Sequence, residues 1–433
     1  MFSLEDNTLP ADWKLASIRA VTIRTAQRDP SKQPQKTFRY VDVSGVDNSL
    51  FKVREATPLK GSEAPSRARK DIRRDDVIFA TVRPTLKRVA MIPPELDGEI
   101  ASTGYCVLRA NAEKITPGFL YDCLLTDWFI DAVGKLERGV SYPAVRDSDV
   151  FSTEIPLPPL PEQQKIASVL GLVQRAIEQQ ERLIALTTEL KKSLMHKLFT
   201  EGLRGERQKQ TEICPVPESW NVIPLRDCCM VQTGIAKGRK VETSDALTLP
   251  YLRVANVQAG HLDLSEIKTI TIRRKEKDRF MLREGDVVLT EGGDFDKLGR
   301  GFIWNGEIED CIHQNHIFAV RVDRSQLLPE FLAHLSQSPY GKAYFLSVAH
   351  KTTNLACINT TKLKGFPVLI PTLTEQEEIV QMLGAVNAKL AQHVRKKQSL
   401  SDLFRTLLHQ LMTAQIRVHD LDLSFLQQDA VAS

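Results

Sequence analysis

The sequence predicts a mixed α/β (α+β) protein made of two copies of one globular unit, each followed by a long helix. Three observations carry that prediction. SLMHKLFT at 193–200 returns as TLLHQLMT at 406–413, an offset of 213 positions. Around both copies, apolar residues recur at spacings of three and four, the period of one helix face. Upstream of each, short alternating runs rich in β-branched residues recur in the same order, the pattern of strands.

In chain order, the first unit is expected over residues 1–155. LPADWKLASI at 9–18 resembles VPESWNVIPL at 216–225, which opens the second unit. YVDVSGV at 40–46 and DDVIFAT at 75–81 read as strands and match YLRVANV at 251–257 and GDVVLTE at 285–291. TPGFL at 116–120 matches LPEFL at 328–332. PLPPLP at 156–161 and FPVLIPTLT at 366–374 are expected as extended entries, because proline is excluded from a helix interior.

The helical segments are expected at 156–205 and 366–413. LPPLPEQQKIASVLGLV at 157–173 lies over IPTLTEQEEIVQMLGAV at 370–386. Ile166, Leu170, Val173 and Ile177 fall on Ile379, Leu383, Val386 and Leu390, and Leu190, Leu194 and Leu198 on Leu403, Leu407 and Leu411. Each helix should run for about 39 residues, roughly 58 Å at about 1.5 Å per residue. Their apolar seams require a partner, and pairing with each other as an antiparallel coiled coil predicts a pseudo-twofold arrangement of the two units. The second unit is expected over 206–365, and 414–433 as a loosely held tail.

Composition bounds the function. A chain of 433 residues, 42% hydrophobic and 26% charged, is long enough for two cores and globular in character. It has no apolar run near the roughly 18 residues of a membrane span, and an acidic start without a signal-peptide core. Seven cysteines without a CxxC pair fit reduced thiols, so a cytoplasmic setting is expected. Net charge is only +4, but basic residues outnumber acidic ones about two to one between Lys52 and Arg88, and TIRRKEKDRFMLR at 271–283 forms a second basic cluster. Such clusters attract phosphates, although a salt-bridged solvent face is the competing reading.

Catalytic apparatus is not found. There is no GxxxxGK[ST] loop for ATP and no [DNS]PP[YFW] tetrapeptide for a DNA methyltransferase. The HxxH pair His313 and His316 would lie on opposite faces of a strand, which disfavours a shared metal. His196 and His409 fall on equivalent helix positions and point to packing or partner contact. The chain reads as a recogniser rather than an enzyme.

PLPPLPEQQKI and the segment it opens, through LRG at 203–205, together with its copy at 374–413, closely resemble the conserved helices of the specificity subunits of type I restriction–modification systems. YLRVANVQAGHLDL at 251–264 and HQNHIFAVR at 313–321 resemble segments of that family's second target recognition domain. The resemblance covers nearly the whole chain, though the first unit is less like familiar members than the second. It implies a non-catalytic reader of double-stranded DNA, whose two target recognition domains recognise the halves of a split, asymmetric site. It also implies docking of two modification (methyltransferase) subunits and of restriction subunits with translocase activity. Those partners would bring S-adenosylmethionine, ATP and Mg; none is expected in this chain.

Within that reading, lysines and arginines should hold phosphates, and polar loop residues should read base edges. The candidates in the first unit are Arg67, Arg69, Arg83, Lys87, Arg88 and Tyr142. In the second they are Lys237, Arg239, Arg273, Arg274, Lys297, Arg300, His313, Gln314, Lys351 and Asn354. The rival reading is a coiled-coil adaptor for other proteins, without DNA specificity.

Overall fold

A computed structural model describes residues 9–238, 242–351 and 356–418, and within these the side chains of all but Thr243 and Asp296. The chain divides into two compact units, residues 1–183 with 393–433, and residues 184–392. The boundary falls inside the long helices Leu160–Glu201 and Leu373–Met412. Each unit therefore comprises one globular body and a two-helix stem, a partition that differs from the domain-then-helix division read from sequence.

In the first unit, two four-stranded sheets carry the body. One is ordered Thr57–Lys60, Thr37–Val41, Ile100–Ser102, Ala68–Asp71; the other Thr22–Ile23, Tyr105–Ala110, Val77–Ala80, Val89–Met91. Strand periodicity distributes the core. Val77 and Phe79 face a cluster with Phe119, Phe129 and the helix residues Ile166 and Leu170, whereas Ile78 and Ala80 face Val41, Ile72 and Tyr105. The second unit repeats this. Its sheets are Cys229–Thr233, Ile317–Val322, Asp286–Thr290, Gly301–Trp304 and Lys268–Arg273, Ala246–Leu252, Ile312–His313. Val287 and Leu289 face Phe331, Ile379 and Leu383, while Val288 faces Leu252 and Trp304.

Three polar devices hold these bodies, and two occur in both. Gln163, near the start of the first long helix, donates from Nε2 to the carbonyls of Pro158 (2.9 Å) and Lys114 (3.0 Å) and accepts from the Thr116 amide (2.9 Å). Gln376 does the same with Pro371 (3.0 Å), Gln326 (2.8 Å) and Leu328 (2.8 Å). This is why EQQ and EQE recur after the proline-rich entries: the glutamine ties the helix start to the loop before TPGFL or LPEFL. Buried Asp76 receives Arg109 through two bonds of 2.8 and 2.7 Å, and buried Asp286 receives Arg321 at the same distances.

The proline-rich entries run extended as far as Pro159 and Thr372, where the long helices begin at Leu160, with Pro161 in its first turn, and at Leu373; they are not free connectors. Glu154–Leu157 pairs antiparallel with Lys14–Ser17, and Pro367–Ile370 with Asn221–Pro224. In the first unit the stem halves run antiparallel: His393 Nδ1 lies 2.9 Å from Gln180 Oε1, and Ile166, Leu170, Val173 and Ile177 share a core with Phe404, Leu408 and Leu411. In the second, Leu198 and Phe199 share a core with Ile379 and Leu383.

The third device corrects the reading of the C-terminal segment as a loose tail. Val418 is buried, Ile416 packs on the core, and Arg417 bonds Glu162 (2.7 Å) and Asp12 (2.7 Å) with its guanidinium 5.8 Å from the Trp13 ring. Charge complementarity and burial of Ile416 and Val418 hold residues through 418; the rest of the segment lies outside the described residues.

Candidate nucleic-acid interface

At one edge of each body, three chain segments meet through the same hydrogen bonds. In the first unit the Thr81 amide donates to Gly104 O (2.8 Å), the Val145 amide to Thr81 O (2.9 Å) and the Thr103 amide to Arg67 O (2.8 Å). Val82 bridges to Ala144, and the Arg83 amide donates to Pro143 O at 2.7 Å. These bonds bring exposed Arg67, Arg83 and Tyr142 to one rim, with the Arg83 guanidinium 5.4 Å from the Tyr142 ring centre. Arg83 holds a left-handed backbone, φ 50°, an unusual conformation for a side chain other than glycine or asparagine.

In the second unit the Glu291 amide donates to His316 O (2.9 Å) and the Ile358 amide to Glu291 O (2.9 Å). Glu291 thus stands where Thr81 stands, and His316 where Gly104 stands. His316 Nδ1 lies 2.5 Å from Glu291 Oε2, so the two form an exposed polar pair. Gln314 joins them, half-buried, with its amide on Leu252 O (3.0 Å). The TGIAK loop crosses Gln314 so closely that a Cβ on Gly234 would lie 2.5 Å from its carbonyl oxygen. That loop carries Lys237, whose ammonium sits 5.9 Å from the Tyr251 ring. Lys351 is exposed on the strand that pairs with Ala356 at the same rim.

The remaining candidates divide by what already holds them. Arg69 is turned onto Ala68 O (2.8 Å) and Asp29 (3.4 Å); Lys87 pairs with Asp127, and Lys297 with Asp294. Arg300 donates to Gln258 Oε1 at 2.9 Å, and Arg88 is half-buried near Tyr105. Arg273 and Arg274 are exposed, but Arg273 faces Ala246, six residues along the strand from Leu252, about 20 Å from the Gln314 rim. Arg239 and Asn354 lie outside the described residues.

His313 is a correction. It is 0% exposed, its Nδ1 lies 3.2 Å from Phe280 O, and burial pushes its pKa down to about 4. A side chain enclosed on every side cannot reach a base edge. The exposed histidine at this rim is instead His316, three residues on, and it brings Glu291, to which the sequence reading gave no role. HxxH spacing marked the alternation of faces but not which face was the core.

Among the described residues, no group of three His, Cys, Asp or Glu side chains is placed to hold a metal, and no helix is long and apolar enough to cross a membrane. The described cysteines are all free thiols.

Comparison with known proteins identifies the family. The family model described as Type I restriction modification DNA specificity domain matches residues 45–188 and 217–401. The type I restriction enzyme MjaVIII specificity subunit of Methanocaldococcus jannaschii is 28% identical over 293 residues, 66% of this chain and 67% of that one. The EcoKI specificity subunit of Escherichia coli K12 is 20% identical over 389 residues, 86% of this chain and 82% of its own. A solved chain from work on complex assembly and conformational transition of the type I R-M system covers 94% of this chain and 99% of its own, with 28% identity and a TM-score of 0.58. The S subunit from M. genitalium shares the fold, with 16% identity and a TM-score of 0.54 over 95% of this chain and 98% of that one. Matched twice and over most of its length, the chain belongs to the type I restriction–modification DNA specificity family.

Proposed function

We propose that each unit reads one half of a split DNA site through its rim, giving a type I restriction–modification assembly its sequence specificity. The observation that carries this is one scaffold with two differently furnished rims. Arg67, Arg83 and Tyr142 furnish the first; Glu291, Gln314, His316, Lys237 and Lys351 the second. Arginine suits the O6 and N7 acceptors of guanine, glutamine the N6 and N7 edge of adenine, and a carboxylate the N4 donor of cytosine. Exposed lysines, with Arg273 and Arg274, would hold phosphates and set register without adding sequence information.

The chain itself would be non-catalytic and act in the cytoplasm. Methyl transfer, with S-adenosylmethionine, would come from two modification subunits, and ATP- and Mg-dependent translocation and cleavage from restriction subunits. Surface for such partners is present on the long helices, where Leu186, Leu190, Met382, Val394 and Leu403 are each 46–57% exposed. The family match and these relatives lend the adaptor reading nothing.

The test is the complex of this chain with its modification subunits, its methylated motif mapped by sequencing. Gln314→Ala should cost about 1–3 kcal/mol of discrimination at one base of one half-site and leave the other half unchanged. Arg273→Ala with Arg274→Ala should weaken binding to all sequences and reduce the salt slope by about two. A Gln314→Ala complex with an unaltered motif and affinity removes Gln314 from the readout.

A further inference from the structure

The tip of the hairpin at residues 138–144 presents the most exposed apolar side chain among the large hydrophobic residues described. Val140 is 101% exposed and Tyr142 73%. An apolar side chain held wholly in water at the end of a rigid projection would gain free energy on burial against a partner. The hairpin is rigidly built. Arg138 and Ala144 exchange both backbone bonds, at 2.9 and 3.0 Å, and the Arg138 guanidinium is spent on Asp149 at 2.6 Å. Gly139 turns the chain at φ 94°, where a Cβ would come within 3.1 Å of Tyr142 O. Arg83 is stapled to the hairpin through Pro143 O and caps one face of the Tyr142 ring; among the described residues it makes no ion pair.

Resting on the reading of this rim as a DNA reader, we infer that the hairpin tip is a wedge that unstacks a base step in the half-site read by the first unit. Val140 presses between adjacent base pairs, and the free face of Tyr142 receives the displaced base while the Arg83 guanidinium backs the ring's other face. Apolar side chains inserted at a base step, beside cations, are a recurring means of bending a duplex, and aromatic faces stack on any base. The choice of occupant follows from the surroundings: an unpaired arginine on the ring and exposed Arg67 on the same rim favour a polyanion over a second protein surface. A wedge reads deformability, so it would favour an easily unstacked pyrimidine–purine step at a position no side chain contacts by hydrogen bonding.

The experiment uses the chain complexed with its modification subunits and a cognate duplex carrying 2-aminopurine at successive positions of that half-site. The methylated adenine is omitted, since the methyltransferase itself can extrude it. One position should brighten on binding to the wild-type complex. Val140→Gly should abolish that signal, Val140→Ile should retain it, and Tyr142→Ala should weaken binding about tenfold, one lost base–aromatic stack. Because Val140 touches no core, unchanged melting temperatures should accompany these effects. Tight binding without brightening at any position, or brightening that survives Val140→Gly, overturns the wedge. Val140→Gly complexes that fail to assemble with the modification subunit make the tip a protein contact and also overturn it. A wild-type complex that binds no duplex sequence preferentially overturns the parent reading itself.

Discussion

Thr81 and Gly104 face each other across the rim of the first unit, where Glu291 and His316 stand in the second. Ser102 and Gln314 occupy matching places beside them, each two residues before that second member. Beneath these rims the two units agree down to tenths of an ångström: Gln163 and Gln376 tie helix to loop, and Asp76–Arg109 and Asp286–Arg321 tie strand to strand. Residues whose partners are backbone atoms or buried charges recur, and the side chains of the rims differ. The difference teaches that the duplication preserves a way of presenting a rim and leaves the rim's chemistry open, which suits two unlike half-sites.

The largest effects should come from the shared scaffold, and they should be equal. Asp76→Ala leaves Arg109 without its buried partner, and Asp286→Ala does the same to Arg321. Each should destabilise its own unit by about 3–5 kcal/mol, the cost of an uncompensated charge where a buried pair stood. Hydrogen exchange read by mass spectrometry separates the units: amides of 68–110 should lose protection in the first variant, those of 246–322 in the second. Loss of protection in both units from either change would break the picture of two separate cores.

Much of this scaffold was legible in the sequence. The offset of 213 exposed the duplication, helix periodicity located both stems within a few residues of Leu160–Glu201 and Leu373–Met412, and alternation found the central strands. The rims were less legible, because a loop residue's neighbours come from distant segments. Glu291 meets His316 25 positions away, and Arg83 meets Tyr142 across 59, pairings no local period encodes. His313 was misread since a polar residue beside a basic strand looks like a reader until burial is known. The tail through Val418 was misread because Arg417 finds its partners at Asp12 and Glu162, over 250 positions back.

That same His313 should separate the units by pH. Unfolded, it takes up a proton near pH 6.5; folded, burial holds it neutral until about pH 4. Between those values the unfolded state binds more protons, so stability falls as pH falls. At about 1.4 kcal/mol per pH unit the loss approaches 3 kcal/mol by pH 4. His334, pushed down to about 4 by burial and by Lys191, adds in the same direction. Both residues belong to the second unit, while position 313 is matched by Ala101 in the first. Acidification from pH 7 to 5 should therefore lower protection in 246–322 before 68–110, and His313→Leu should flatten that dependence. Equal acid sensitivity of the two units would place its cause elsewhere.

The smallest effects should come from a pair of equivalent arginines that the units use differently. At an offset of 213, Arg417 corresponds to Arg204, and Glu162 to Glu375. Arg417 grips Glu162, which in turn accepts the Trp13 indole at 3.0 Å. In the second unit Trp220 is just as buried, yet its indole nitrogen has no acceptor, and Arg204 is exposed. The cause is local. Gly202, at φ 68°, ends the first long helix beside Glu375 and Trp220 and sends the chain on towards 206–218, whereas the second helix continues into residues that pack on the first unit's core. Arg417→Ala should then cost the first unit about 1.5–3 kcal/mol, the worth of charge-assisted hydrogen bonds at the buried Glu162 carboxylate. Arg204→Ala should stay within about 0.5 kcal/mol, as for a surface change that touches no partner. Urea melts of both variants, read by the exchange of 14–17 and 221–224, provide the measurement. Equal losses would mean that the second unit possesses a clasp like the first, and the asymmetry between them would disappear.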